Sequence, residues 1–364
     1  MKKVLVPRVR FKGFGEEWKE HTIGNIANIT NGKSNTSDNN KWGQYNLYIR
    51  SEEIYKSNKY IFDVEGVITV GDGNIGKIFH YVNGKFDLHQ RCYLIYEFQN
   101  IWPKYFYYYF SQNFYKRAIL MSYTATVNSI RMNTITDMDI MFPKELIEQQ
   151  KIGKLLDEIS NLINLENSKL NKLKQLKEAL LQKMFPEGNS KTPKIRFRGF
   201  DEEWKEEVLG KIIKSAYIGI SSKILITGKY EVIQQGITNI AGYTNEKPFE
   251  NYEKIVLFGD HSLSVYKPKK PFLLASDGIK AYFIENTYGD YFYYLLGNNL
   301  PENEGYKRYS LILKEKNIWI TYNKSEQQKI GDFFSKIDIL LNLYNSKLNK
   351  LKQIKEALLQ KMFV

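Results

Sequence analysis

One stretch of this chain is written twice. Residues 148–185 read EQQKIGKLLDEISNLINLENSKLNKLKQLKEALLQKMF, and residues 326–363 read EQQKIGDFFSKIDILLNLYNSKLNKLKQIKEALLQKMF. The copies lie about 178 residues apart and agree at roughly three positions in four, which marks an internal duplication. Neither contains proline, and each has a single glycine near its start. Apolar residues recur at helical spacing, among them Leu155, Ile159, Leu162, Leu173 and Leu180 in the first copy and Phe333, Ile337, Leu340, Leu351 and Leu358 in the second. Lys, Glu, Gln and Asn fill the positions between. This pattern predicts a long amphipathic helix that must bury one face. At 1.5 Å rise per residue, about 38 residues span roughly 57 Å, the length of a coiled-coil rod rather than of an ordinary globular helix. A lone helix cannot hide such a stripe. Two near-identical helices in one chain can hide theirs on each other, so these ten residues are the expected pairing positions.

A second repeat precedes each half. Pro7–Ile26 reads PRVRFKGFGEEWKEHTIGNI and Pro193–Ile212 reads PKIRFRGFDEEWKEEVLGKI. The order is therefore arm, variable region, helix, arm, variable region, helix. RVRF and IRF alternate basic and apolar residues as a short strand would. Gly13 and Gly199 read as turns, and Trp18 and Trp204 read as core anchors. PEGNSKTP after Phe185 breaks the first helix and serves as a linker. The second helix ends at Val364, where the first runs into that linker, so the C-terminus is expected to meet the N-terminal arm in a pseudo-two-fold, nearly closed ring. Ser325, with Gln328 three residues on, is the expected cap of the second helix.

The variable regions, about 28–147 and 214–325, barely resemble each other. Both carry short β-branched and aromatic runs broken by Gly and Asn, such as VEGVITVGDG, KIFHYV, YEVIQQGI and EKIVLFGD, which read as strands and turns. WPKYFYYYF at 102–110 and YFYYLL at 291–296 read as buried helices. The fold class is α+β: two mixed α/β regions separated by two long helices. The expected domains are 1–147, the helix 148–186, 187–325, and the helix 326–364.

Formal net charge is +13 over 364 residues, which points to a polyanionic partner. No apolar run reaches the ~20 residues of a spanning helix, so nucleic acid is favoured over a membrane. The basic N-terminus lacks the apolar core and cleavage site of a secretory signal. Cys92 is the only cysteine, which excludes an internal disulfide and suits the cytoplasm.

Catalytic and metal motifs are missing from the pattern. Gly71–Lys77 reads GDGNIGK, close to a phosphate loop, but a strand rather than a helix follows, and Ile78 stands where Ser or Thr would hold magnesium. It reads as a turn between strands. The four histidines and one cysteine show no metal-ligand spacing, Asp260-His261 reads as structural, and no nucleophile elbow or Asn/Asp-Pro-Pro-aromatic run of an adenine methyltransferase occurs. The expectation is a chain with no catalytic residue, no metal and no cofactor of its own.

What remains is basic, aromatic and polar. Arg and Lys grip phosphates or read guanine, and Asn and Gln read adenine. The segments that combine these residues with small turn residues supply the candidate DNA contacts. In the first region they are Lys33, Ser34, Arg50, Asn74, Lys77, Arg91, Tyr123, Asn128 and Arg131. In the second they are Ser222, Lys223, Gln234, Gln235, Asn239, Tyr243, Lys280, Lys307, Arg308 and Tyr309.

At this point the chain resembles the specificity subunits of type I DNA restriction–modification systems. The resemblance rests on the arm RVRFKGFGEEWKE and its repeat IRFRGFDEEWKEE, on EQQKIG in both halves, on KLKQLKEALLQKMF and KLKQIKEALLQKMF, and on GYKRYSLILKE in the second region. FPK before the first helix becomes YNK before the second. The resemblance implies that each variable region is a target recognition domain reading one half of a split, asymmetric site in double-stranded DNA. It implies that the helices pair antiparallel and set the distance between the half-sites. Two modification subunits would dock on the conserved regions with S-adenosylmethionine, and two restriction subunits would add ATP- and Mg2+-dependent chemistry.

Two rival readings remain: a coiled-coil adaptor whose variable regions bind proteins, and a stand-alone DNA enzyme. The pairing of the helices is open to direct test. Replacing both Leu173 and Leu351 with Asp is expected to disrupt helix pairing and subunit docking; a complex of wild-type composition from that variant would count against the pairing.

Overall fold

In the computed structural model, residues 6–124, 128–236 and 238–363 are described, without the side chains of Tyr123 and Thr124. The chain divides into two compact units, one of residues 1–166 with 347–364 and one of residues 167–346. Each long helix contributes to both.

The strands of the first unit are β1 (Lys19–Thr22), β2 (Asn28–Asn31), β3 (Tyr45–Tyr48), β4 (Ile54–Ser57), β5 (Phe62–Val70), β6 (Phe79–Leu88), β7 (Cys92–Tyr96), β8 (Tyr123–Thr124), β9 (Asn128–Ser129) and β10 (Asp139–Phe142). Its helices are α1 (Pro103–Leu120), α2 (Met132–Thr136) and the first part of α3 (Leu146–Met184). Six strands form one sheet in the order β2-β7-β5-β6-β3-β4. In it β3 and β6 are parallel and the other pairs antiparallel. Separately, β1 pairs with β10 and β8 with β9. The aromatic run builds α1: Pro103 opens it, where its fixed φ and missing N–H cost nothing, and Tyr105, Phe106, Phe110 and Phe114 are wholly buried.

The second unit continues with β11 (Lys205–Val208), α4 (Leu209–Ile212), β12 (Ile213–Ser215), β13 (Tyr230–Ile233), β14 (Ile240–Thr244), β15 (Val256–Gly259), β16 (Val265–Tyr266), β17 (Phe272–Leu274), β18 (Ile279–Ile284), α5 (Gly289–Asn298), α6 (Tyr309–Glu315), β19 (Asn317–Ile320) and α7 (Lys324–Met362). Here the sheets differ: a four-stranded one, β12-β18-β15-β16, and a three-stranded one, β14-β13-β17. The flanking frame is repeated, with β11 on β19 as β1 is on β10. Trp18 packs edge-on to Tyr105 at 5.9 Å, and Trp204 to Tyr291 at 6.1 Å. Both tryptophans are core residues, 1% and 2% exposed.

Both long helices run 39 residues, matching the stripe read from sequence. Within the second unit they pair antiparallel: Lys177 bonds Asp338 at 2.5 Å, and just past the end of α3 Phe185 stacks on Phe334, earlier in α7. Within the first unit Lys347 bonds Glu166 at 2.9 Å. Ile159 and Ile337 are buried, and Leu155, Leu173, Leu180, Phe333 and Leu358 pack against the cores, while Leu351 is half-buried. Leu162 and Leu340 depart from the expectation, being 45% and 44% exposed. A helix with one partner buries a narrow seam, and residues on the flank of the apolar stripe stay open.

The arms are not strands. Val9 N–H instead donates to the carbonyl of Lys361 at 2.9 Å, and Ile195 N–H to that of Lys183 at 2.9 Å. The basic residue of each alternation points inward: Arg10 Nε and Nη2 hold Glu148 at 2.6 and 2.8 Å, and Arg196 holds Glu326 at 2.7 and 3.0 Å. Both carboxylates are buried, 1% and 0% exposed. Each arm therefore ties the start of one long helix to the end of the other, inside one unit. The expected meeting of the C-terminal helix with the N-terminal arm is part of this: Phe363 lies against Tyr105 and Tyr109.

EQQKIG is explained by the same packing. Gln149 accepts Trp102 N–H at 2.7 Å and donates to Asn100 O and Pro143 O. Gln327 accepts Tyr288 N–H at 3.0 Å and donates to Thr321 O. A Cβ on Gly153 would lie 2.3 Å from the Trp102 ring, and one on Gly331 would lie 2.8 Å from the Tyr291 backbone nitrogen. The cap of α7 is Asn323, whose Oδ1 accepts the N–H groups of Ser325 and Glu326, so the expected role of Ser325 is corrected. An Asn one turn-start earlier reaches those amides better than the Ser that follows it, and this is where YNK departs from FPK.

Arg10→Met is expected to destabilise the chain by about 3–5 kcal/mol, because it strands a buried carboxylate, and Arg10→Met with Glu148→Met to recover most of that loss. Urea unfolding measures both. A single variant as stable as the wild type would show that the fork is dispensable.

Candidate nucleic-acid interface

In the first unit the candidate residues other than Tyr123, which lies in β8, come from five separate segments: those after β2, β3, β5 and β6, and β9 with the turn that follows it. Backbone bonds bring the five together. Lys33 and Ser34 N–H donate to Leu88 O, His89 N–H to Tyr48 O, Gln90 N–H to Ser34 O, Gly73 N–H to Asn128 O and Ile130 N–H to Gly71 O. GDGNIGK is the turn expected, with Gly73 and Gly76 at φ +75° and +66°, where a side chain would strain the backbone.

At the centre stands Asp72, 8% exposed. Its carboxylate holds Arg50 Nη1 at 3.0 Å and Arg91 Nη1 at 3.8 Å. The two arginine side chains stay 46% and 64% exposed. A cavity of about 370 Å³ opens here, lined by Thr36, Ile49, Arg50, Ser51, Asp72, Gly73 and Asn74. Burial and then the charge of Arg50 push the His89 imidazole below its usual range, and its Nδ1 accepts Arg91 N–H at 3.0 Å. Lys33, Asn74, Lys77 and Arg131 are exposed at this same place and Asn128 is half-buried. Lys77 lies over the ring of Tyr115. The side chain of Tyr123 lies outside the described residues.

The second unit repeats the principle with other residues. The segments after β13, β15 and β17 meet the one before α6. His261 N–H donates to Gln235 Oε1, Asp260 N–H to Gly278 O, and Tyr309 N–H to Asp260 O. Asp260 also accepts Ser310 N–H at 2.8 Å, and His261 bonds Lys307 O and stacks on Tyr306 at 4.6 Å. This supports the structural reading of Asp260-His261. Gln234 N–H donates to Asn239 O, and its amide reaches Thr238. Lys280 donates to Asp277 O. Lys307 and Arg308 are exposed. Ser222 and Lys223 follow Ser221, whose N–H donates to Leu274 O at the end of β17. Ser222, with Ser221, bonds Glu246, and those bonds hold the carboxyl below the usual range. They join through Leu225, whose N–H donates to Tyr243 O.

Two expected contacts are corrected. Ser34 is 1% exposed and donates to the buried carboxylate of Asp87 at 2.6 Å. Tyr309 is 1% exposed, and its hydroxyl is engaged with Gly305 O and Glu304 N–H. Both groups are consumed inside the protein. Missed in the sequence were Asp72 and Glu246, acidic residues that organise the basic and polar ones, as Asp260, read there as structural, also does. A search for cations and amides passes over them, and only the position of Asp72 inside a glycine-punctuated turn hinted at a role. Among the described residues no group of three or more His, Cys, Asp or Glu is placed to hold a metal ion, and no helix is long and apolar enough to cross a membrane.

Comparison with known proteins bears on what these surfaces serve. Residues 15–175 match the family model described as the type I restriction modification DNA specificity domain. A curated relative, the type I restriction enzyme EcoDI specificity subunit of Escherichia coli, is 28% identical over 162 residues. That match covers 44% of this chain and about a third of the relative, 35% of its length. The crystal structure of a type I restriction–modification S subunit from M. genitalium superposes with a TM-score of 0.75 at 18% identity, covering 99% of both chains. A chain from a structural study of complex assembly and conformational transition in the type I system gives 0.51 at 14%, covering 98% of this chain and 99% of that one. At such identities the two structures speak to the fold alone. The match spans the later part of the first arm, the first variable region and most of the first helix, and the arm and helix motifs recur in the second half. Over residues 15–175 the chain is similar to the type I restriction–modification DNA specificity family.

Proposed function

We propose that the chain is the DNA sequence-recognition subunit of a type I restriction–modification complex, with no chemistry of its own. One observation carries this reading: in each of two dissimilar units, basic and amide side chains from separate loops converge on one patch, while the frame around the patch is duplicated. Dissimilar patches suit dissimilar half-sites, and a duplicated frame suits two copies of one partner. Each unit reads one half of a bipartite, asymmetric site in double-stranded DNA. The continuous helices α3 and α7 set the gap between the halves. Two modification subunits dock on the conserved segments and supply S-adenosylmethionine and methyl transfer. Two restriction subunits supply ATP- and Mg2+-dependent translocation and cleavage. The complex works in the cytoplasm.

Binding of the full chain to duplex DNA should weaken steeply with salt, since each neutralised phosphate adds about 0.9 to the log–log slope. Salt-independent binding, or preference for a protein ligand, would favour the adaptor reading instead. Insertion of one helical turn in both α3 and α7, ~5.4 Å, is expected to widen the unread gap in a methylation-site map and leave both half-sequences unchanged. A gap that does not move would contradict the spacing role.

A further inference from the structure

We propose that Asp72 is a positioning residue that holds Arg50 and Arg91 as a guanine-reading fork for the first half-site. This rests on the DNA-reading function proposed above and adds to it a residue and a base. A free arginine loses about 2 kcal/mol of rotamer entropy when it is fixed, so a fork that must read a base edge gains from being fixed beforehand. Asp72 is placed to do that. It is buried, it meets both guanidiniums at 3.0 and 3.8 Å, and the arginines it holds remain open to a ligand.

The backbone around the carboxylate is fixed as well. Gly71 N–H donates to Arg91 O at 2.7 Å, Ile130 N–H donates to Gly71 O, and Asp72 bridges Ser129. The His89 ring fixes the start of the Arg91 segment through Arg91 N–H. The remaining guanidinium donors match the O6 and N7 acceptors that guanine presents in the major groove. The carboxylate also disfavours phosphates at this point, so the fork is tuned to a base edge rather than to the DNA backbone. A plain phosphate grip would have no use for a buried anion between its two cations.

The test selects duplexes from a randomised pool with the full chain, Asp72→Asn and Arg50→Gln, and measures non-specific duplex affinity in parallel. Asp72→Asn is expected to lose roughly tenfold of the guanine preference at one position of one half-site. The other half-site should be kept, and non-specific affinity should be equal or higher because two cations are released. Arg50→Gln should lose preference at the same position. Retained guanine preference in Asp72→Asn overturns the proposal, and so does equal loss at both half-sites, which marks a structural role. A wild-type chain with no base preference anywhere overturns the DNA reading itself, and this inference with it, a pattern distinct from the other two.

Discussion

Two buried arginine–glutamate forks hold this structure to its plan. Arg10 on Glu148 and Arg196 on Glu326 are bidentate, short and nearly sealed from water. The carboxylate bond raises the pKa of each arginine above its ordinary value, against the burial that lowers it. Such a pair adds little net stability over apolar residues of the same shape, but the loss of either partner is severe. Its value is specificity of arrangement: an arm, the start of one long helix and the end of the other can meet in one way. The same two-point geometry occurs in both units, so one solution was copied with the duplicated sequence. The neighbouring glutamines work with the forks, tying each long helix to the amide of the residue that caps an aromatic helix.

With the frame fixed this way, the variable regions are free to differ. One builds a six-stranded sheet and the other two smaller ones. Yet both gather their loops around a buried aspartate, Asp72 or Asp260. The roles differ in chemistry. Asp72 holds arginine side chains, whereas Asp260 holds backbone amides at the start of α6. A basic chain of net charge +13 thus uses buried acids to decide where its cations and amides point. That is the difference between a surface that attracts DNA and one that can discriminate within it.

Much of the fold was legible in the sequence because it is periodic. The helical stripe gave both rods, and the aromatic runs gave α1 and α5. The arms misled because their alternation of basic and apolar residues has two physical solutions: a strand, or an arginine turned in to a carboxylate over a hundred residues away. Local pattern cannot separate these. The candidate contacts were legible as segments, since Gly, Asn and Arg mark loops, and five of those segments meet in the first unit. Individual side chains were not. Ser34 and Tyr309 look like their exposed neighbours in sequence and are buried by partners far along the chain. Leu162 and Leu340 fit the stripe and lie on its edge, where one partner helix cannot cover them.

In the proposed function, two independent readers are carried by one duplicated frame. The most direct measurement replaces residues 28–142 with the variable region of a type I specificity subunit, keeping both arms and both long helices, and maps the bases methylated in cells that supply modification subunits. The expected result is a site in which one half-sequence changes while the other half and the gap between them stay the same. A change in both halves, or in the gap, would contradict it.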